Sequence, residues 1–415
     1  MSSEWKDVEL GDVIELKRGY DLPKAKRKKG LIPIVSSSGI SGQHVISKVS
    51  GPGVVTGRYG TIGEVYYVEK NFWPLNTTLY VRDFKGNNPR FISYFLKTLN
   101  FKAYSDKAAV PGVNRNHLHK AKIYFPTDIS TQRNITNILQ SLDDKIDLNQ
   151  RMNKTLEEMA QALFKCWFVD FEPTRAKMAG ESPDSICQRL NLTPDILRLF
   201  PDSLTDSSLG PIPDGWSQES LSVFCNLNPT SWTKRNAPER VEYVDLANTK
   251  WGAINSTEKY AFISAPSRAR RILHVGDTVV GTVRPGNGSY AWIGKNGLTG
   301  STGFAVLRPK EEHFSEFVYL ATTYIENIEH LAHLADGGAY PAVRPEIVLA
   351  TRCLKPTDGL IREFSSVVKP FFKRRETNST ATKTLAQIRD TLLPKLLSGE
   401  LPVGKIDENM EGNKV

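Results

Sequence analysis

A heptad pattern written twice is what most constrains this chain. Ile135, Leu142, Asn149, Leu156 and Leu163 fall seven apart, with Ile138, Leu139, Ile146, Met152 and Met159 filling in at three or four. Phe364, Phe371, Asn378, Leu385 and Leu392 repeat the spacing, each 229 positions beyond its counterpart. Apolar residues recurring in this way form a seam that a helix buries along another helix. The spacing therefore predicts two long helices, over 129–170 and 357–398, packed through these ten residues. Even the polar interruption is copied: Asn149 and Asn378 share one heptad position, where a lone Asn fixes register at some cost in stability. Each helix follows a Pro-Thr-Asp triplet, Pro126-Thr127-Asp128 and Pro356-Thr357-Asp358, whose Thr or Asp can cap the first free N–H groups. Pro370 lies inside the second pattern and is expected to kink it or delay its regular start.

A chain of 415 residues exceeds one ordinary core, and two to four units are expected. No apolar run reaches the length of a membrane span, and Met1-Ser2-Ser3-Glu4-Trp5 has no basic-then-apolar signal segment, so the expectation is a cytoplasmic protein with no membrane partner. Cys166, Cys187, Cys225 and Cys353 are scattered, which indicates neither a disulfide framework nor a cysteine zinc site. The net charge of +9 and pI near 9.2 favour a polyanionic partner, nucleic acid first, with a merely solvated basic surface as the alternative.

Residues 1–128 read as a mixed, strand-rich domain. Short β-prone runs at Val54–Thr56, Val65–Val68 and Thr77–Val81 alternate with glycine turns, and one helix is inserted from about Pro89 to Leu99. Residues 171–215, rich in Pro, Ser and Asp, read as linker and short helices. At Trp216 the pattern restarts: Trp5 with Leu10 is echoed by Trp216 with Leu221. Val54, Thr56, Arg58 and Gly60 match Val280, Thr282, Arg284 and Gly286 at an offset of 226, and Pro111-Gly112-Val113 meets Pro341-Ala342-Val343 at 230. Two copies at so long a period mean a tandem pseudo-dimer rather than a solenoid. The expected fold is α+β: strand-rich domains at 1–128 and 216–356, the two long helices, and a frayed tail at 399–415. Outside the anchors the two heads differ widely, which suits a scaffold holding two different recognition surfaces.

Signatures of catalysis fail. Asn88-Pro89-Arg90 and Asn228-Pro229-Thr230 lack the second proline and aromatic of an amino-methylation loop and read as turns. Residues 288–296 resemble a phosphate-binding loop but carry one residue too many and end in Asn296. Gly57–Gly63 has the wrong spacing for a dinucleotide loop and reads as a glycine-rich hairpin. His117, His119, His330 and His333 lack zincin spacing, which leaves surface or capping roles. No Gly-x-Ser-x-Gly elbow occurs.

The equipment of a DNA reader is present in duplicate. In the first head Lys24, Lys26, Arg27, Lys28 and Lys29 form a basic loop suited to phosphate contact, or equally an exposed charged loop. Ser37, Asn76 and Thr77 offer short polar groups for phosphates or base edges, against a plain turn or strand-end role. Asn114, Arg115 and His117 follow a proline-glycine turn and are rich in donors. In the second head Trp232, Lys234 and Arg235, then Arg268, Arg270 and Arg271, form basic clusters. Arg284, the counterpart of Arg58, lies with Asn287 on a glycine turn where backbone approaches a ligand closely, although an arginine retained through duplication fits a structural role equally. Tyr340 and Arg344 stand where the first head has Val110 and Asn114, and such differences are what separate base preferences require.

Leu142–Asn149, Leu163–Phe171 and Arg389–Glu400, together with Gly57–Gly63 and Phe72-Trp73-Pro74, give the chain a resemblance to specificity subunits of type I restriction-modification systems. The resemblance spans essentially the whole chain. It implies two target recognition domains separated by two long antiparallel helices. Each domain would read half of a bipartite double-stranded DNA target, while the helices set the spacer and dock two methyltransferase subunits. Those partners would use S-adenosylmethionine, and two restriction-translocase subunits would use ATP and Mg; no cofactor or metal is expected on this non-catalytic chain. About 35 helical residues make a rod of roughly 50 Å, compared with about 34–36 Å for one DNA turn between half-site centres. Two rival readings remain open: an enzyme with an unrecognised acidic site, and a coiled-coil adaptor whose heads bind proteins.

Overall fold

A computed structural model describes residues 5–105, 112–207, 210–335, 338 and 341–403. The chain divides into two compact units, Met1–Leu148 with Thr382–Val415, and Asn149–Ala381. Both long helices are present, Ile129–Phe168 and Asp358–Leu397, 40 residues each, and they begin 229 positions apart. Each is shared between the two units, dividing after Leu148 and after Ala381.

In the first unit an antiparallel pair, Trp5–Glu9 with Lys122–Pro126, closes the domain. A four-stranded antiparallel sheet runs in the order Glu15–Arg18, Thr78–Asp83, Gly53–Gly57, Val65–Val68. A second sheet sets Ile32–Ser36 between Gly39–His44, antiparallel, and Trp73–Pro74, parallel. The helix Pro89–Lys97 starts where Asn88 accepts from the Phe91 N–H at 3.0 Å, and Phe91 and Phe95 then meet the Phe125 ring edge-on. This core continues onto the long helices through Ile135, Leu139, Leu396 and Leu397, all buried. Asp128 caps the first long helix by accepting from the Thr131 N–H at 2.9 Å and its hydroxyl at 2.8 Å.

The second unit repeats this frame and adds strands to it. Ser217–Ser220 pairs with Arg352–Lys355. The larger sheet runs Cys225–Leu227, Phe304–Pro309, Thr278–Gly281, Tyr290–Trp292. The other places Arg240–Val244 between Glu258–Ala261, antiparallel, and Leu298–Ser301, parallel, and adds Ala269–Ile272 beyond. Helices Ser315–Thr323 and Pro345–Leu349 match Pro89–Lys97 and Arg115–His119 at offsets of 226 and 230. The fold is thus α+β with two strand-rich domains and two long helices.

Within each unit the long helices run antiparallel. In the second, Phe164, Trp167 and Phe168 surround Phe364, with ring centroids 4.9–6.2 Å apart, and Asn153 meets Asn378. In the first, Asp143 meets Arg389. Of the ten seam residues, Ile135, Asn149, Phe364 and Asn378 are buried and the other six half-buried, while Met159, assigned beside the seam, is 46% exposed. The seam Asn residues do not pair with each other: the Asn378 amide donates to Asn153 Oδ1 at 2.9 Å, and Asn153 donates to Ser379 Oγ at 3.1 Å. Pro370 neither interrupts the second helix nor delays its start. It is exposed, so the carbonyl it leaves free faces water.

The stretch read as linker and short helices is largely folded. Residues Glu172–Met178, Pro183–Leu190 and Pro194–Arg198 are helical, the last two opened by Ser182 and Thr193 caps. Phe171, Ile186, Leu197 and Phe200 are buried in the main core of the second unit, with Phe200 5.2 Å from Trp167. Short capped helices hide the periodicity of such a segment, because each is too brief to repeat it.

Candidate nucleic-acid interface

In the first head the strand order brings several of the assigned polar segments to one place. The Arg58 and Tyr59 N–H groups donate to Thr77 O at 2.9 and 3.2 Å, and the Val113 N–H donates to Arg58 O at 3.0 Å. Ser37, from the neighbouring sheet, lies against this turn, where a Cβ at Gly57 or Gly60 would meet it at 3.4 Å. Ser37, Arg58, Thr77 and the start of the Asn114 segment therefore form one cluster. Arg58 spreads its guanidinium over the Tyr59 ring at 4.5 Å. Asn76 donates to Asp21, which gives its amide a structural task. Asn114 accepts from Asn116 N–H and starts a short helix on which Arg115 and His117 are exposed. Lys24, Lys26, Lys28 and Lys29 are exposed, Arg27 half-buried, and the Lys28 N–H donates to His44 Nδ1 at 3.0 Å. His119 takes a structural part, accepting from the Leu16 N–H at 2.9 Å.

The second head builds the same turn differently. Arg284 adopts a left-handed φ of 48°, and its N–H donates to Pro341 O at 2.7 Å while Val343 N–H donates to Thr282 O at 2.9 Å. Arg284, Asn287 and Arg344 are exposed; Tyr340 lies outside the described residues. A second group sits on the other sheet. The Trp232 N–H donates to Arg270 O at 2.7 Å and its indole N–H to Thr299 Oγ1 at 3.0 Å, so this Trp is partly a strut. Arg270 stacks on Phe262 at 4.7 Å, and Arg271 Nη1 reaches Ser231 Oγ at 3.3 Å. Burial lowers the Arg271 pKa from its ordinary value. Lys234, Arg235 and Arg268 are exposed beside them. Arg82 and Arg308, also matched in the repeat, are bound to Glu15 and Asp277 and brace their sheets.

Among the described residues no group of three or more His, Cys, Asp or Glu is placed to hold a metal ion, and no helix is long and apolar enough to cross a membrane. The four cysteines are free thiols, and burial pushes those of Cys225 and Cys353 up to about 12. The run 288–296 contains the strand Tyr290–Trp292 and leads into the strand Leu298–Ser301 rather than a helix, so it lacks the helix N-terminus a phosphate loop needs.

Residues 2–158 match the model of the type I restriction modification DNA specificity domain. The chain is 26% identical over 339 residues to the type I restriction enzyme HindI specificity subunit of Haemophilus influenzae, covering 72% of this chain and 73% of that one. It is 23% identical over 334 residues to the MjaIX specificity subunit of Methanocaldococcus jannaschii, covering 76% and 70%. Over about three quarters of its length the chain is thus similar to type I specificity subunits. Its fold is also that of the S subunit of a type I restriction-modification system from M. genitalium, with a TM-score of 0.60 and 16% identity over 95% of this chain and 96% of that one.

In this chain each head is tied to the long helices by a node that the sequence pattern did not single out. In the first unit the Tyr94 hydroxyl donates to Asp143 Oδ2 at 2.7 Å, and Arg389 pairs with Asp143 Oδ1 at 2.8 Å. In the second the Tyr319 hydroxyl donates to Glu157 Oε1 at 2.9 Å, and Arg375, ion-paired with Glu157, donates to Gly252 O at 3.0 Å. Tyr319 is fully buried, and burial together with the Glu157 charge holds its hydroxyl protonated well above the usual range. An apolar pattern could not reveal these nodes, since they depend on which turn of one helix faces which turn of the other.

Proposed function

We propose that this chain is a specificity subunit of a type I restriction-modification system and that each of its heads reads one half of a bipartite DNA target. On this reading the long helices set the spacer and dock two methyltransferase subunits, two restriction-translocase subunits complete the assembly, and the chemistry, with its S-adenosylmethionine, ATP and Mg, resides in those partners rather than in this chain. The observation that carries the reading is one frame used twice with different surfaces. Both heads hold an arginine turn, Arg58 or Arg284, against the segment leading to a short helix, yet the groups around it differ: Ser37, Thr77 and Arg115 in one, Asn287 and Arg344 in the other. A fixed frame with unlike donors is what two unlike base sequences demand, because base edges in the major groove differ in their donor and acceptor pattern. Exposed lysines 24, 26, 28 and 29 and the arginines of the second head supply phosphate contacts that fix register without reading sequence.

The test is selection of DNA from a random pool by the full chain co-expressed with the methyltransferase subunit of its own system. A two-part motif with a constant gap is expected, with affinity that falls steeply as salt rises. Binding without sequence preference would overturn the reading.

A further inference from the structure

We infer that Trp251 is a specificity-determining residue of the second head, reading an A·T pair by apolar contact of its indole. This rests on the DNA-reading function proposed above.

The two heads diverge most at one connection. In the first, the strands Ile32–Ser36 and Gly39–His44 are joined by Ser37 and Ser38 alone. In the second, the equivalent strands Arg240–Val244 and Glu258–Ala261 are joined by residues 245–257, which form an extra two-stranded hairpin, Thr249–Lys250 with Ala253–Ile254. Trp251 is at its tip. Both connections reach the arginine turn of their own head: Ser37 lies against Gly57 and Gly60, and the Trp251 N–H donates to Gly288 O at 2.7 Å. The same position thus presents a hydroxyl in one head and an indole in the other.

The indole is held out rather than left loose. Trp251 is 55% exposed, and among the described residues no other tryptophan is so exposed. Its backbone has a φ of 47°, a left-handed conformation that a bulky residue adopts only when its surroundings enforce it. Enforcement comes from four contacts. A Cβ at Gly288 would lie 2.5 Å from the indole, so only glycine lets the ring lie on the turn. Lys250 Nζ binds Ser289 Oγ at 3.1 Å, and Arg375 holds Gly252 O at 3.0 Å. Tyr290 meets the ring edge-on at 5.9 Å. A side chain with two torsions, already fixed, loses little entropy on binding. An apolar ring beside exposed Arg284 and Asn287 finds one apolar group on the major-groove edges of the bases, the thymine methyl, which singles out an A·T pair.

The experiment repeats the random-pool selection with Trp251→Ala and Trp251→Phe, each as the full chain with its methyltransferase subunit, and records melting temperatures alongside. Expected for Trp251→Ala is loss of preference at an A·T position in one half of the motif, the other half intact and the melting temperature unchanged, with roughly tenfold weaker binding to the wild-type site. Trp251→Phe should keep that preference in part. An unchanged motif, relaxation confined to G·C positions, decay of both halves together, or loss of the methyltransferase subunit from the complex would each overturn the assignment, the last making Trp251 a protein-docking residue. A wild-type chain that selects no motif would instead refute the DNA-reading function, and the assignment would fall with it.

Discussion

Single buried polar groups in this chain carry consequences of opposite sign. Asn149 and Asn378 are each 3% exposed, yet Asn378 donates to Asn153 while the Asn149 amide nitrogen has no hydrogen-bond partner. An unsatisfied buried group costs about 1–3 kcal/mol. Asn149→Leu is therefore expected to raise the melting temperature by about 2 °C, and Asn378→Leu to lower it because Asn153 then loses its donor. Thermal melting of both variants checks the split, and equal shifts would contradict it. Glu316 gives a pH test. It is 1% exposed, and burial raises its pKa from 4.5, only partly offset by the Ser365 hydroxyl donating at 2.8 Å. A carboxyl whose folded pKa lies above its unfolded value contributes stability that is full below the unfolded value and lost as pH rises through the folded one. Glu316→Gln should thus melt higher than the wild type at pH 8 by about 2 °C, with the gain gone at pH 4; a gain independent of pH would count against burial of the charge as its cause.

At the scale of elements, burial along the seam predicts a gradient of cost. Phe364 is fully buried among Phe164, Trp167 and Phe168, so Phe364→Ala is expected to lose about 3–5 kcal/mol in urea denaturation. Leu385, at the same heptad position three repeats later, is half-buried and its replacement by Ala should cost about half as much or less. Similar losses at both sites would mean that the seam is more uniformly closed than these burials indicate. The nodes act across elements. Tyr94→Phe removes one hydrogen bond to a charged acceptor, worth about 1.5–3 kcal/mol, and should destabilise the first unit without altering the second. Protection of backbone amides by hydrogen exchange, read separately in residues 5–105 and 216–335, distinguishes this from a global loss.

For the whole molecule the repeat makes the heads exchangeable parts on one frame. Replacing residues 1–128 by the corresponding head of another specificity subunit should change one half of the selected DNA motif and leave the other as it was. A change in both halves would contradict independent reading. The two heads share strand order, the offsets of their short helices and the placement of an arginine turn, whereas the connection that carries Ser37 in one carries Trp251 in the other. Duplication has kept what supports the site and varied what faces outward.

The sequence alone determined the doubled helices, the repeat and the strand-rich heads, because heptad spacing, glycine turns and constant offsets are local signals that survive without coordinates. It also placed Arg58 and Arg284 on equivalent turns. It left three things undecided. The helix register set Asn378 against Asn153 rather than giving the matched Asn149 a role in that bond, since antiparallel packing joins different turns from those that the repeat equates. The folded state of 171–200 followed from burial of Phe171, Ile186 and Phe200 in a core assembled from distant segments. The prominence of Trp251 followed from Gly288, Arg375 and Tyr290, which are far from it in the chain and converge on it only when the second unit closes.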